Sequence, residues 1–107
     1  MVDKKTRIAR VNKMEQNFDV CLKAEKELSA ALENYKNALN GFAELAAYYD
    51  GGDWKSDYEA DEAGKVPAAL KRGVLSQVGL DDLLTAHREL KVDMLKILTE
   101  IAERGIR

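Results

Sequence analysis

The densest group of ionisable side chains is an acidic run in the middle of the 107-residue chain. Residues 50–62 hold six carboxylates against a single lysine. Carboxylate oxygens bind divalent cations, and three of these acids alternate along the chain: Asp57, Glu59 and Asp61. The spacing departs from an EF-hand, because Glu62 stands where the glycine is required and Ala68 where the bidentate glutamate is required. A metal site in the acidic run is therefore one hypothesis.

The bases that follow the acidic run offer a structural alternative. Lys71 and Arg72 could fold back onto the carboxylates, and such charge-assisted contacts would hold the segment in place. The failed EF-hand spacing favours this interpretation. We therefore predict no metal ion and no cofactor.

His87 is the only histidine, and it lies on the apolar stripe of a C-terminal helix. It could act as a general base or a pH-sensitive contact, and together with the acidic run it defines an enzyme hypothesis. We favour a half-buried histidine bonded to a tyrosine hydroxyl or a backbone carbonyl. No nucleophile motif accompanies it, so we assign no catalytic residue.

Four of the seven aromatic residues fall within eleven positions: Tyr48, Tyr49, Trp54 and Tyr58. Tyrosine and tryptophan are enriched at binding surfaces, but aromatics at a helix end also seal a core. We expect at least two of the four to seal the core, and an exposed Trp54 would favour binding. The predicted interaction surface combines aromatics, acids and bases: Tyr48, Tyr49, Trp54, Asp57, Glu59, Asp61, Glu62, Lys71 and Arg72.

The N-terminal segment is basic, with an excess of three positive charges over residues 1–26. Weak nucleic-acid binding is a third hypothesis. The bases spread around a helix, acids are interleaved among them, and no groove-reading motif is present. A solvated helix surface is the better interpretation.

The elements that position these residues are helical. Alanine, glutamate, lysine, leucine and arginine supply 54 of the 107 residues, whereas valine, isoleucine and threonine supply 14. We predict one all-α domain over residues 1–107, a long antiparallel, coiled-coil-like helical hairpin. Its helices span 3–50 and 80–104, and the connector 51–79 contains one short helix, which we place at Pro67. No segment is apolar enough to span a membrane, and no signal peptide is expected.

The two predicted helices differ in length. If they pack as a hairpin, an apolar stripe over roughly residues 8–27 lacks a partner within the chain. A monomeric three-helix bundle would require a break near Glu25 to Ser29, where no helix breaker occurs. We therefore predict a homodimer with a seam through Val11, Met14, Phe18, Cys21 and Glu25.

Residues 48–84 also resemble a family signature. The matching positions are Tyr48, Tyr49, Trp54, Asp57, Glu59, Asp61, Glu62, Gly64, Pro67, Leu70, Lys71, Arg72, Gly73, Val74, Leu75, Ser76 and Gly79. This pattern resembles domain of unknown function 4298, a family of small bacterial proteins. The resemblance implies a mostly helical cytoplasmic protein and supplies no activity. We expect a non-catalytic interaction or structural module that recognises a partner through residues 48–79.

Overall fold

The structure of the protein is a computed structural model that describes residues 3–107. Within those residues it contains three α-helices, one 3₁₀ turn and no strand. The elements are α1 (Lys4–Asp50), α2 (Gly52–Glu62), the 3₁₀ turn (Gly73–Leu75) and α3 (Gln77–Arg104). The predicted fold class, a long helical hairpin whose connector contains one short helix, is confirmed.

The chain divides into two compact units, Met1–Asn40 and Gly41–Arg107. The first unit contains most of α1, and none of the residues described in α1 is buried. The second unit contains the last turns of α1, α2, the 3₁₀ turn and α3. Every buried residue of the described chain lies in this second unit.

Local signals explain both ends of α1. The Asp3 carboxylate accepts a hydrogen bond from the backbone N–H of Thr6 at 2.8 Å, which caps the first turn. Gly41 leaves the helix uninterrupted, and the helix ends at Asp50, directly before Gly51 and Gly52. The predicted boundaries of this helix are confirmed to within one residue.

The prediction of a short helix at Pro67 is wrong. The short helix of the connector is α2, formed by the acidic run itself, and Pro67 opens only a single turn. The Pro67 carbonyl accepts from the Leu70 N–H at 3.0 Å and from the Arg72 guanidinium at 2.7 Å. This carbonyl is therefore used to anchor Arg72, and the chain turns instead of continuing as a helix.

The last helix starts three residues earlier than predicted, at Gln77. Ser76 is the N-cap, and its hydroxyl accepts from the Gly79 N–H at 3.1 Å. The helix ends as predicted at Arg104, and its C-cap is Gly105, whose left-handed φ of 63° favours glycine.

The core of the second unit is small. It consists of Trp54, Leu75 and Leu80, with partly buried neighbours packed around it: Leu45, Tyr48, Tyr49, Tyr58 and Leu84. Phe42 of α1 stacks on His87 of α3, while Tyr49 and Asp50 line a groove with Asp81. Within this unit the two helices therefore run antiparallel.

None of the helices in the described residues is both long enough and apolar enough to span a membrane.

Candidate interaction site

Trp54 is the centre of the connector and is only 7% exposed. Its indole N–H donates to the Val74 carbonyl at 2.9 Å, which ties α2 to the 3₁₀ turn. Tyr49 contacts it edge-on with ring centroids 4.9 Å apart, and Tyr58 stacks on it at 5.1 Å. The aromatic cluster of the sequence is thus assembled around a buried indole, and the exposed Trp54 that would have favoured binding is not observed.

Tyr48 and Asp57 join the end of α1 to α2. The phenol donates to the Asp57 carboxylate at 2.6 Å. That hydrogen bond, then desolvation, then the negative charges of Asp57 and Asp53 raise the pKa of Tyr48 to about 12. Tyr48 is therefore a protonated donor at neutral pH, and its partner carboxylate serves as its acceptor.

Arg72 folds back onto the acidic run, as the structural alternative predicts. Its guanidinium contacts the Asp61 carboxylate at 2.6 Å and donates to the Pro67 carbonyl at 2.7 Å. Lys71, by contrast, lines a groove with Val66, Leu70 and Val74. One of the two predicted bases therefore pins the connector, and the other faces a groove.

His87 lies against Phe42, with ring centroids 4.3 Å apart and the planes 18° from parallel. The sequence predicts a hydrogen bond for His87, and the stacking on Phe42 could not be derived from it because the two residues are far apart in the chain. Among the described residues, no group of three or more histidine, cysteine, aspartate or glutamate side chains is arranged to hold a metal ion.

An open groove of about 460 Å³ lies on the aromatic side of α2. Its walls include Tyr49, Trp54 and Tyr58, and it is completed by Gly51, Lys55, Glu59 and Gln77. We call this the aromatic groove. It combines ring surfaces with one carboxylate and one amine, a combination that suits recognition of a charged side chain.

The predicted dimer seam lies on α1 within the first unit. Val11, Met14 and Phe18 are 50–60% exposed, and Cys21 is an exposed free thiol. The Glu25 carboxylate accepts from the Ser29 hydroxyl at 2.9 Å, one turn along the same helix. The stripe is therefore formed and uncovered in the single chain.

The structure gives roles to residues that are not among the predicted site residues. Ser76 is the N-cap of α3, and a serine before a helical segment is the local signal that could have predicted it. The role of Leu75 and Leu80 as the buried partners of Trp54 had no local signal, because it depends on how the connector folds.

The fold and the site together define a small all-α hairpin whose connector is held by its own hydrogen bonds. The chain belongs to the family described as Domain of unknown function (DUF4298), whose family model matches residues 11–97. No curated protein and no solved structure matches the chain. The predicted family resemblance is confirmed.

Proposed function

We propose that the protein is a non-catalytic interaction module that recognises a basic segment of a partner protein through residues 48–79. The observation that carries this proposal is the aromatic groove on the surface of an acidic helix. The groove supplies ring surface for an arginine or lysine side chain, and the helix supplies carboxylates for neighbouring bases.

The charges of α2 support a basic partner. The helix carries five carboxylates and one lysine. Asp57 and Asp61 are engaged by Tyr48 and Arg72. Within the described residues, no hydrogen bond or ion pair engages the remaining three, which are all exposed: Asp53, Glu59 and Glu62. These three carboxylates are available to a partner.

The aromatic rings of the groove favour a partner that inserts a cationic side chain. Tyr49 and Tyr58 are partly exposed and flank Trp54, and Glu59 lies at the same groove. A guanidinium stacks on aromatic faces and pairs with carboxylates in a fork geometry, so arginine fits this combination better than lysine. Partly desolvated cation–π contacts contribute about 1–2 kcal/mol each.

The internal bonds of the connector support recognition without large rearrangement. Trp54 is held by the Val74 carbonyl, and Arg72 bridges Asp61 and the Pro67 carbonyl. A surface already fixed in the free protein avoids part of the ordering cost of binding. We also infer a cytoplasmic location, which is what the family resemblance implies.

The test uses an immobilised peptide array in which amphipathic sequences carry arginine, lysine, glutamine or glutamate at matched positions. We expect selective retention of the arginine series. Trp54 is the only tryptophan, so binding in the groove should also change its fluorescence in solution.

Glu59→Lys should abolish retention, because it places a like charge in the groove. The matched control is Glu89→Lys, the same charge change at an exposed position of α3, and it should retain the peptides. An equal loss of peptide retention in both variants would show that net charge alone causes the loss, and it would reject the aromatic groove as the binding site. No retention of any basic peptide would reject the proposal.

A further inference from the structure

The exposed stripe of α1 has a heptad pattern that contains charges as well as apolar groups. Position a is occupied by Lys4, Val11, Phe18 and Glu25, and position d by Arg7, Met14, Cys21 and Leu28. The apolar members from Val11 to Phe18 are about half exposed or more. A covering helix must therefore offer apolar groups in the middle and a partner for the charges at each end.

We propose that a second copy of this chain covers the stripe as an antiparallel helix pair, in the register that places Glu25 against Arg7 of the second copy. In antiparallel coiled coils an a position faces a d position of the other helix. Arg7 is the only base at a d position between residues 7 and 35. Charge complementarity at Glu25 thus selects a single register.

The same register matches the apolar residues without further adjustment. Between the two charged layers, Val11 faces Cys21 of the second copy, and Met14 faces Phe18 of the second copy. The twofold symmetry repeats both layers, so four apolar layers lie between two ion pairs. Arg7 and Glu25 are 18 residues apart on a described helix, so these layers extend over about 27 Å.

The residues that flank the seam fit as well. Ile8 and Leu22 occupy e positions and face each other across the two copies, which accounts for two more exposed apolar groups. Asn17 faces Asn17 of the second copy near the twofold axis, where the two side-chain amides can exchange hydrogen bonds. Glu15 faces Glu15 of the second copy, and outside the two ion pairs Leu28 faces Lys4 of the second copy; these are the unfavourable contacts of the register.

A parallel pair of the same helices is disfavoured. It would place Glu25 against Glu25 and Arg7 against Arg7 of the second copy, because a faces a and d faces d. Like charges facing each other in an apolar seam destabilise a complex. The orientation therefore follows from the charges, whereas the apolar residues alone would allow either direction.

The first test is the molar mass of the full chain by light scattering, followed by charge reversal in the seam. The expected mass is about twice 12.0 kDa. Arg7→Glu and Glu25→Arg should each raise the dimer dissociation constant by at least about tenfold, and the double variant should restore it to near the wild-type value. Circular dichroism reports whether each variant keeps its helices.

The matched controls are Lys13→Glu and Glu33→Arg, which make the same charge changes away from the seam and should leave dimerisation intact. In a parallel dimer each single charge reversal would leave the dissociation constant nearly unchanged, because it would replace one pair of like charges by another pair of like charges. A 12 kDa wild-type species, or helical single variants that dimerise like the wild type, would overturn the proposal.

Cysteine cross-linking tests the orientation directly. Copper phenanthroline removes two electrons, and two protons leave, when two thiols form a disulfide. In the wild type, Cys21 faces Val11 of the second copy, so little Cys21–Cys21 cross-link is expected. Val11→Cys should give a rapid link between positions 11 and 21, located by peptide mapping. A rapid link between two copies of Cys21 in the wild type would demonstrate the parallel arrangement and reject ours.

Discussion

The two units of the chain both expose apolar side chains, but only the second contains buried residues among those the structure describes. In Lys4–Asn40 no described residue is buried, and the Lys23–Glu27 and Ser29–Glu25 contacts each lie within one helix turn. In Gly41–Arg107 a three-residue core is held by hydrogen bonds that join residues eleven and twenty positions apart. The difference indicates that the connector folds through contacts within its own chain. The exposed stripe of α1 is instead suited to contact with another chain.

The largest expected effect is at Trp54. Trp54→Ala removes the buried indole and its bond to Val74, so the free energy of unfolding of the second unit should fall by about 3–5 kcal/mol. Urea unfolding followed by circular dichroism measures it. Val20→Ala, at a residue 68% exposed on α1, should stay within about 0.5 kcal/mol of the wild type. Similar losses in both variants would contradict the contrast between the units.

Trp54→Phe separates packing from hydrogen bonding. It keeps an aromatic ring between Tyr49 and Tyr58 but leaves the Val74 carbonyl without its donor. A loss of about 1–3 kcal/mol, smaller than that of Trp54→Ala, is expected from the unsatisfied carbonyl and the reduced volume. If Trp54→Phe lowers the free energy of unfolding as much as Trp54→Ala does, the hydrogen bond of the indole N–H accounts for the whole loss.

A smaller effect is expected at the N-cap of α3. Ser76→Ala removes the acceptor of the Gly79 N–H and should cost about 1 kcal/mol in the same unfolding measurement. Ser76→Asp restores a capping oxygen and should recover most of the loss. Ser56→Ala, at an exposed position within α2, serves as the control and should cost nothing.

The next prediction compares the Arg72–Asp61 ion pair of the connector with the Arg104–Glu100 ion pair on the surface of α3. The Arg72–Asp61 side chains are 38% and 19% exposed, whereas those of Arg104–Glu100 are 65% and 59% exposed. Arg72→Ala should therefore cost up to about 1 kcal/mol, and Arg104→Ala about 0.3–0.5 kcal/mol. Arg72→Lys should recover little, because lysine lacks the fork that also reaches the Pro67 carbonyl. Equal effects at both arginines would show that the connector pair has no special role.

The sequence predicts the helices well because their signals are local. The apolar stripe, the Asp3 cap and the two glycines that follow Asp50 each act within a few residues, and α1 begins and ends where the last two of these signals lie. The position of the short helix could not be derived in this way. Pro67 favours a helix start, but its carbonyl is used by Arg72, and that contact depends on the connector folding onto α2.

The candidate site likewise has one part that local sequence signals predict and one part that depends on long-range contacts. Asp61 with Arg72 follows from opposite charges near each other in sequence, and that part of the structural alternative is confirmed. The burial of Trp54 depends on Leu75 and Leu80, which lie more than twenty residues away, so composition alone could not distinguish a core residue from a binding residue.

The last comparison concerns the Tyr48–Asp57 pair, whose contribution to stability depends on pH. The pKa of Tyr48 is raised from its ordinary value of 10.0 to about 12, so the folded state holds this proton more tightly than the unfolded state does. The resulting stabilisation is fully present below pH 10 and is lost as the pH rises from 10 to about 12. Tyr48→Phe should cost about 0.5–1 kcal/mol at pH 7 and reduce the fall in unfolding free energy across that interval. Asp57→Ala should reduce the fall as well, because it removes the acceptor and charge that raise the pKa. Urea unfolding at pH 9, 10, 11 and 12 provides the comparison, and an unchanged fall in both variants would exclude the pair as its source.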